Sequence, residues 1–306
     1  MAGKKDDDKL DKAVLAILAK EEEEKKKKEK LMAKALDIRD EEAKDAGELA
    51  FYSRILVLAT MPHSKTEEMV FTRQNGNFKL QMTAHPDYGL PYGSTSRIIL
   101  AWLSSTAIQR KMSTIHIFGP MAGFMRELGL EPTGGKRGSI TYFKDHLQRL
   151  LSCTVHFTYD SKEVWTRSGF CIANDADLWW DAQKFERLGP APSMVELSKP
   201  FFEELLRHPI PLDMRALNAL RKSPLAIDIY SWLTYRYHSL KSPVVVPWES
   251  LMLQFGGSYV DKHQFRQTFL KQLRKVRVVY PKANITEVPG KGMKLWPSPT
   301  HVTPSH

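Results

Sequence analysis

The sequence has few cysteines and no long apolar run. Only Cys153 and Cys171 occur among its 306 residues, and they form no CxxC pair. Two thiols in a chain of this size are typical of a reducing compartment, which disfavours disulfide and zinc scaffolds. No apolar run reaches the ~18 residues that cross a bilayer, and the polar start, MAGKKDDDKL, differs from a signal peptide. We therefore expect a cytoplasmic protein that does not enter a membrane.

The patterns of common catalytic centres are also missing. No His-x-His pair or His-Glu-x-x-His motif occurs, so a metal-dependent nicking or protease centre lacks its histidine ligands. Residues 129–136 are similar to a phosphate-binding loop, but Leu130 and Arg137 stand where that loop requires Gly and a hydroxyl residue. We expect no enzymatic activity, no metal and no other cofactor. A relaxase-like nicking enzyme is disfavoured.

Positive charge is concentrated after residue 48. The whole chain has 45 Lys and Arg against 35 Asp and Glu, a net charge of +10. Residues 1–48 hold 13 basic and 15 acidic residues, a net charge of −2, which leaves +12 for the remainder. A body of this charge attracts polyanions such as nucleic acid at low salt, although a soluble protein can also be merely basic.

Residues 1–48 form a charged leader of low complexity. Each residue of Glu21–Glu24 lies four residues before a lysine of Lys25–Lys28, an orientation that stabilises a helix. An apolar stripe from Leu10 to Leu18 is too short for a coiled coil. The leader is either a solvated helix stabilised by its own ion pairs or a helical hook for a partner protein, carried by that stripe.

The chain after residue 48 changes to strand-like patterns and then breaks once. Arg54–Leu58 and Asn77–Met82 are typical of strands, and Asn75-Gly76 predicts a type I′ hairpin between neighbouring strands. The Pro-rich stretch Leu188–Ser193 predicts an interdomain linker at residues 189–192.

An internal repeat lies on the two sides of that linker. Each copy begins with a helix carrying a Trp-Leu pair, followed by a β-like run, a short helix, a Gly pair and an amphipathic helix with a β-like tail. The first Gly of each pair stands nine residues before an aromatic residue of the amphipathic helix. The matching segments are Trp102-Leu103 and Trp232-Leu233, Ile115–Phe118 and Pro243–Val246, Met121–Leu128 and Trp248–Phe255, Gly134-Gly135 and Gly256-Gly257, Phe143 and Phe265, and Thr154–Tyr159 and Val276–Tyr280.

This order of elements predicts an α+β fold of two winged-helix (helix-turn-helix) domains in tandem. The predicted domains span residues 49–188 and 193–306, and the leader of residues 1–48, helical or disordered, precedes them.

The two amphipathic helices are the candidate DNA-binding elements. Each has an apolar face that anchors it, a polar face for base edges and cations near its start for phosphates. The predicted apolar faces are Ile140, Phe143, Leu147, Leu150 and Leu151 on a helix from Gly138 to Ser152, and Phe265, Phe269, Leu273 and Val276 on the second helix. The second half is the more basic, so we expect its helix to contact most of the bases. The predicted contacts are Lys136, Arg137, Ser139, Thr141, Tyr142, Gln148 and Arg149 in the first unit, and Lys262, His263, Gln264, Gln267, Lys271, Arg274 and Lys275 in the second.

Several segments, in order over about residues 50–152, resemble the plasmid-encoded RepA-type replication initiators. They are Met61-Pro-His-Ser-Lys65, Phe71-Thr-Arg-Gln-Asn-Gly-Asn-Phe78, Gly89-Leu-Pro-Tyr-Gly93, Leu100-Ala-Trp-Leu103 and the run from Phe124 to Lys136 that contains Leu-Gly-Leu-Glu-Pro-Thr-Gly-Gly. The resemblance implies a non-enzymatic protein that binds double-stranded DNA at plasmid origin repeats and opens the origin with a host replication initiator and the replicative helicase. A monomer–dimer equilibrium is compatible with it. The alternative is a winged-helix transcriptional repressor without a replication role.

Overall fold

The computed structural model describes residues 3–178, 193–256, 259 and 261–303. Its helices are α1 Gly3–Asp40, α2 Arg54–Leu58, α3 Gly93–Arg110, α4 Met121–Glu127, α5 Ser139–Leu151, α6 Lys199–Arg207, α7 Met214–Leu220, α8 Pro224–Ser239, α9 Trp248–Phe255 and α10 Lys262–Val279. Its strands are β1 Leu49–Ser53, β2 Val70–Asn75, β3 Phe78–Thr83, β4 Thr114–Ile117, β5 Thr154–Asp160, β6 Trp165–Cys171, β7 Ala173–Asp177, β8 Ser193–Leu197, β9 Pro209–Asp213, β10 Val244–Pro247, β11 Ile285–Val288 and β12 Gly292–Leu295.

Antiparallel pairing arranges the described strands in four small sheets. Their orders are β1-β9, β2-β3-β5-β6, β4-β8-β7 and β10-β12-β11. Helices pack between and beside these sheets, so the predicted mixture of helix and sheet is confirmed. Across the described residues, no helix is both long and apolar enough to span a membrane.

The predicted order of elements occurs in both halves. The first half has α3, β4, α4, α5, β5 and β6 in succession, and the second has α8, β10, α9, α10, β11 and β12. In both, the tryptophan of the first helix packs edge-on against a phenylalanine of the short helix, with ring centroids 4.6 Å apart for Trp102–Phe124 and 5.7 Å for Trp232–Phe255. The sheets differ, because β10 pairs with β12 of its own half whereas β4 pairs with β8.

Strand pairing and core packing cross the predicted domain boundary. β1 pairs with β9 along its whole length, from Leu49 opposite Asp213 to Ser53 opposite Pro209. The buried apolar side chains, from Ile38 to Leu295, form one contiguous cluster. The division at residues 189–192 stays a prediction, since these residues lie outside the described part of the chain.

A buried ion pair also joins the two repeats. Arg97 on α3 donates from Nε and Nη2 to the two carboxylate oxygens of Asp228 on α8, both at 2.7 Å. His63 donates from Nε2 to the same carboxylate at 2.8 Å. Burial acts to raise the pKa of Asp228, but the Arg97 guanidinium and His63 together hold that pKa below its usual value. Burial lowers the pKa of His63, which favours the uncharged form of its ring.

Two strand predictions are wrong, and both fell on short apolar runs. Arg54–Leu58 forms a single helical turn, α2, in which Ile55, Leu56 and Val57 are all buried. Val276–Tyr280 continues α10 as far as Val279, because Val276 and Val279 extend the buried stripe of that helix. Such runs have the same composition in a buried strand and a buried helix, and burial decides between them.

The predicted hairpin between β2 and β3 is present, with a different turn. Asn75 pairs with Phe78, so the loop residues are Gly76 and Asn77. Gly76 has φ +57° and Asn77 is not among the residues with positive φ. A type I′ turn needs positive φ at both central residues, so that assignment is wrong.

The leader forms α1, which packs against α7 and α10. Its docking side is Leu31, Ala35 and Ile38, spaced at helical intervals, with Ile38 buried. Arg215 of α7 donates to the backbone carbonyls of Asp37 and Glu41 at 3.1 and 2.7 Å. Two of the four predicted Glu–Lys pairs also form, at 2.7 Å for Glu22–Lys26 and between Glu23 and Lys27. The side chains of the Leu10–Leu18 stripe lie outside the described part, apart from Ala16.

Candidate nucleic-acid interface

An aromatic core anchors α10. Phe265, Phe269, Leu273 and Val276 form its predicted apolar face and all four are buried. The indole of Trp248 lies edge-on to both phenylalanines, with centroids 6.3 Å from Phe265 and 5.6 Å from Phe269. This packing fixes which side of α10 points away from the protein.

Asp261 begins α10 as its N-cap. Its carboxylate accepts hydrogen bonds from the backbone N–H groups of His263 at 2.9 Å and Gln264 at 3.3 Å. These bonds, that of His263 first, lower the pKa of Asp261. The cap satisfies two otherwise unpaired donors and fixes where the helix begins.

The outward side of α10 is basic and polar. The helix holds six Lys and Arg and no carboxylate. Gln267 and His263 contact each other at 2.8 Å, and Lys262 is paired with Glu249. Of the predicted second-unit contacts, Lys275 is half-buried, and the others, Lys262, His263, Gln264, Gln267, Lys271 and Arg274, are exposed as expected.

α5 is anchored in the same manner in the first unit. Phe143, Leu147, Leu150 and Leu151 are buried, and Phe143 packs edge-on against Phe124 of α4 at 5.6 Å. Ile140, the fifth predicted member of the apolar face, is half-buried.

The loop before α5 uses two of the predicted DNA contacts internally. The Ser139 hydroxyl donates to the carbonyl of Glu131 at 2.6 Å and accepts from the backbone N–H of Thr133 at 2.7 Å. The Thr141 hydroxyl donates to the carbonyl of Gly135 at 3.1 Å. Both hydroxyls therefore shape the turn between α4 and α5.

Glycines make this turn possible. Gly135 has φ +91°, in the left-handed region that favours glycine. Gly138 has no room for a side chain, because a Cβ there would collide with the carbonyl oxygens of Thr133 and Gly134. In the second unit, Gly257 of the matching pair lies outside the described residues.

Arg149 is a correction to the predicted interface. It was expected on the outward side of α5, but it is only 8% exposed. Its Nε donates to Asp145 at 2.7 Å, and its guanidinium lies 5.6 Å from the ring centroid of Tyr92 and against Gly89. The helical wheel places Arg149 opposite the apolar stripe, but the segment around Gly89 and Tyr92 covers that position.

The remaining first-unit predictions keep some access to solvent. Lys136 and Arg137 are exposed in the loop before α5, Gln148 is half-buried and Tyr142 is 47% exposed. No hydrogen bond or ion pair among the described residues joins the predicted α5 contacts to those of α10.

Sequence reasoning missed a buried histidine, His146, beneath Tyr142. His146 is fully buried between Tyr92 and Tyr142, with centroids 4.5 and 4.2 Å away, and its Nδ1 lies 2.9 Å from the hydroxyl of Ser96. Burial lowers the pKa of His146 to about 4. Its position one turn after Tyr142 was the only available signal, and a helical wheel alone does not separate it from the polar side.

The hairpin after α5 presents an exposed edge. β5 and β6 pair from Thr154 opposite Cys171 to Asp160 opposite Trp165. Trp165 is 66% exposed, and Arg167 on the same strand is exposed as well. Within the described residues, no group of His, Cys, Asp or Glu is arranged to hold a metal ion.

The fold is similar to that of domains 2 and 3 of RctB. A crystal structure of selenomethionine derivatives of these domains aligns with a TM-score of 0.53 at 12% identity, covering 80% of this chain and 96% of that chain. A second crystal structure of RctB domains 2–3 gives a TM-score of 0.49 at 13% identity, covering 78% and 94%. At this identity the first likeness supports the fold alone.

The sequence match identifies the family. Residues 90–249, just over half of the chain, match the family model of the plasmid-encoded RepA protein. The chain belongs to this family of plasmid replication proteins, as the resemblance of residues 50–152 implied. The match runs from α3 to the start of α9, so α10 lies beyond it. No curated protein matches the sequence.

Proposed function

We propose that this protein is a plasmid replication initiator that binds repeated origin sites in double-stranded DNA through two winged-helix units, at residues 49–188 and 193–306. The observation that carries the proposal is the outward side of α10. It combines exposed cations and amides with no carboxylate on a helix that an aromatic core holds rigidly.

The side chains of α10 suit the major groove. Glutamine pairs bidentately with adenine and arginine with guanine, so Gln264, Gln267 and Arg274 are the proposed base contacts. Lys271 and Lys275 are the proposed phosphate contacts, since a lysine ammonium is a point charge without a fixed hydrogen-bonding fork. Lys262, which is paired with Glu249, has less freedom, and His263 orients Gln267 by its contact with that side chain, so we assign both a supporting part.

The first unit contributes phosphate contacts in this proposal. Lys136 and Arg137 precede α5 and meet the backbone at the start of that helix, where Gln148 reaches towards the bases. We take the β5–β6 hairpin as the wing of this unit, with the exposed Trp165 and Arg167 as its proposed contacts to phosphate or the minor groove. Arg149 holds α5 to the Gly89 segment and supports the interface indirectly.

The mechanism that follows is mechanical. With α5 and α10 in major grooves one helical turn apart, the protein bends or loads the origin until an adjacent AT-rich segment melts. A host replication initiator and the replicative helicase then enter. The protein itself needs no cofactor and catalyses no reaction.

Binding titrations on two duplexes test the proposal. We expect tight binding to the plasmid's own origin repeats and weak binding to a scrambled duplex. Affinity should fall steeply between 50 and 200 mM salt, because the release of counterions from DNA becomes less favourable as the salt concentration rises. Equal affinity for both duplexes, or no salt dependence, would contradict it.

Two further assays separate the alternatives. The gene with its neighbouring repeats should support replication of a marker in a suitable host, whereas a repressor would bind the same DNA without replicating it. Purified protein should neither hydrolyse ATP nor nick supercoiled origin DNA. Nicking that maps to one strand position would revive a relaxase-like activity.

A further inference from the structure

Seven cations from three elements lie close together where α1 packs against α7 and α10. They come from the leader helix α1, from the turn between α7 and α8, and from α10 itself. The members of this lysine cluster are Lys27, Lys30, Lys34, Arg221, Lys222, Lys271 and Lys275. Only Lys271 and Lys275 belong to the interface that the sequence predicts, so most of the cluster has no assigned role.

Burial and neighbouring cations lower the pKa of two lysines in the cluster. Burial, followed by Arg221 and Lys30, lowers the pKa of Lys34. Burial, followed by Lys271, lowers the pKa of Lys275. Lys222 and Lys27 lower it further, and Glu24 acts to raise it. Burial is the larger cause of both shifts and the neighbouring cations add to it, so these two ammonium groups lie close to other positive charges.

Few acidic groups compensate the cluster. Glu23 pairs with Lys27 and also lies near Lys222, and Asp37 lies near Lys34. Among the described residues, Lys30, Lys34, Lys222, Lys271 and Lys275 form no ion pair with any carboxylate. The positive charges therefore exceed the negative ones at this surface.

The cluster is held in place by packing. Ile38 is 7% exposed in the core and Leu31 and Ala35 pack against the same core, while Arg215 bonds two carbonyls at the end of α1. Lys27 lies one turn before Leu31, and Lys34 lies one turn before Ile38. Arg221 donates to the carbonyl of Gly129, which fixes the turn between α7 and α8.

The position of α1 beside α10 suits the wall of a DNA groove. Packed helices have axes about 8–10 Å apart. The major groove is about 12 Å wide, so a helix packed beside one in the groove lies over the flanking phosphates. Lysine side chains from that helix reach the backbone without entering the groove.

We propose that the lysine cluster binds DNA phosphates beside the groove that α10 occupies, so that the leader helix is part of the DNA interface. This inference rests on the proposed function. It gives residues 27–34 of the leader a role that neither sequence-based interpretation, the solvated helix or the partner hook, assigns to them. DNA is favoured over an acidic protein because Lys271 and Lys275 make the cluster continuous with the outward side of α10.

Salt titration of a charge-neutralised variant tests the inference. In full-length protein, Lys30→Gln, Lys34→Gln and Lys222→Gln are combined, and affinity for the origin duplex is measured from 50 to 200 mM salt. Each lost phosphate contact reduces the slope of log affinity against log salt by about 0.9. We expect the slope to fall by about 2 to 3, with affinity for cognate and scrambled duplexes reduced by equal factors.

Matched variants make the result specific. Lys65→Gln, Lys111→Gln and Lys199→Gln change the net charge by the same amount at exposed positions away from the cluster, and should leave the slope unchanged. The Lys→Arg versions of the three cluster substitutions should restore it. Unfolding midpoints of all variants are compared by circular dichroism to show that each remains folded.

The outcomes are distinguishable from those of the proposed function. If the wild type shows specific, salt-dependent binding and the cluster variant keeps the wild-type slope, the leader is not in the interface and this inference alone fails. An acidic-protein partner would give that same result. If the wild type binds no duplex specifically, the proposed function fails and this inference fails with it.

Discussion

Asp228→Asn should be among the most destabilising conservative substitutions in this protein. All five N–H donors of Arg97 are used, two on Asp228 and three on the carbonyls of Met61 at 2.8 Å, Pro62 at 3.2 Å and Gly93 at 2.8 Å. The side chains of Arg97 and Asp228 are 0% and 4% exposed. The asparagine keeps the shape of the carboxylate and removes the charge that compensates the buried guanidinium.

The magnitude follows from that burial. Removing one partner of a buried ion pair costs about 3–5 kcal/mol, since the other charge is left uncompensated. The three carbonyls still solvate Arg97, so we expect the lower part of that range, about 3 kcal/mol. A domain's free energy of unfolding is about 5–15 kcal/mol, which makes the loss large enough to measure.

Urea unfolding followed by circular dichroism measures the loss against a matched control. Glu203 and Arg207 form an ion pair with the same 2.7 Å separation, but their side chains are 41% and 66% exposed. Glu203→Gln should cost only about 0.3–0.5 kcal/mol, as surface pairs along a helix do.

A double variant tests the stated cause. Arg97→Met should destabilise the Asp228→Asn protein by less than it destabilises the wild type, because the charge that asparagine leaves uncompensated is then removed. If Asp228→Asn costs less than about 1 kcal/mol, or no more than Glu203→Gln, the argument from burial is refuted.

Three other predictions concern the interface and its support. Arg274→Ala should reduce the binding free energy on the cognate duplex by about 1–3 kcal/mol if Arg274 pairs with a guanine, and should have little effect on a scrambled duplex. Equal weakening of both duplexes would make Arg274 a phosphate contact. Arg149→Ala should instead lower the free energy of unfolding. The pKa of His146 is about 4 in the folded state and about 6.5 when unfolded, so its contribution to stability is complete above pH 7 and declines as pH falls. Between pH 7 and pH 5 the free energy of unfolding should therefore drop by about 2 kcal/mol more in the wild type than in His146→Phe. Identical drops would contradict this. Gly138→Ala should destabilise the protein by about 1–3 kcal/mol in thermal unfolding, whereas Gly134→Ala, whose Cβ meets nothing within 4 Å, should be nearly neutral.

The helical spacing of apolar residues and the positions of Gly and Pro predicted the elements that carry the candidate site. The amphipathic helices were expected at Gly138–Ser152 and around Phe265, and α5 and α10 occupy Ser139–Leu151 and Lys262–Val279. Their apolar faces were identified correctly because helical spacing is a property of neighbouring residues. The exposed residues of α10 followed from the same spacing.

The features that depend on contacts between distant parts of the chain could not be predicted from local patterns. The burial of Arg149 depends on Gly89 and Tyr92, about 60 residues earlier in the chain, and no helical wheel contains them. The pairing of β4 with β8 likewise depends on a strand that follows the predicted linker. The docking of α1 on α10 joins the two ends of the chain, and a local pattern of charge indicates a helix without indicating its neighbour.

The pairing of β1 with β9 has a consequence during synthesis. Leu49 must wait for Asp213, about 160 residues later, before it meets its partner. At roughly 5–20 residues per second, β1 leaves the ribosome about 10–30 s before β9 exists. Through that interval the nascent chain carries an unpaired strand edge, so a ribosome that stops short of residue 209 releases a fragment prone to aggregate.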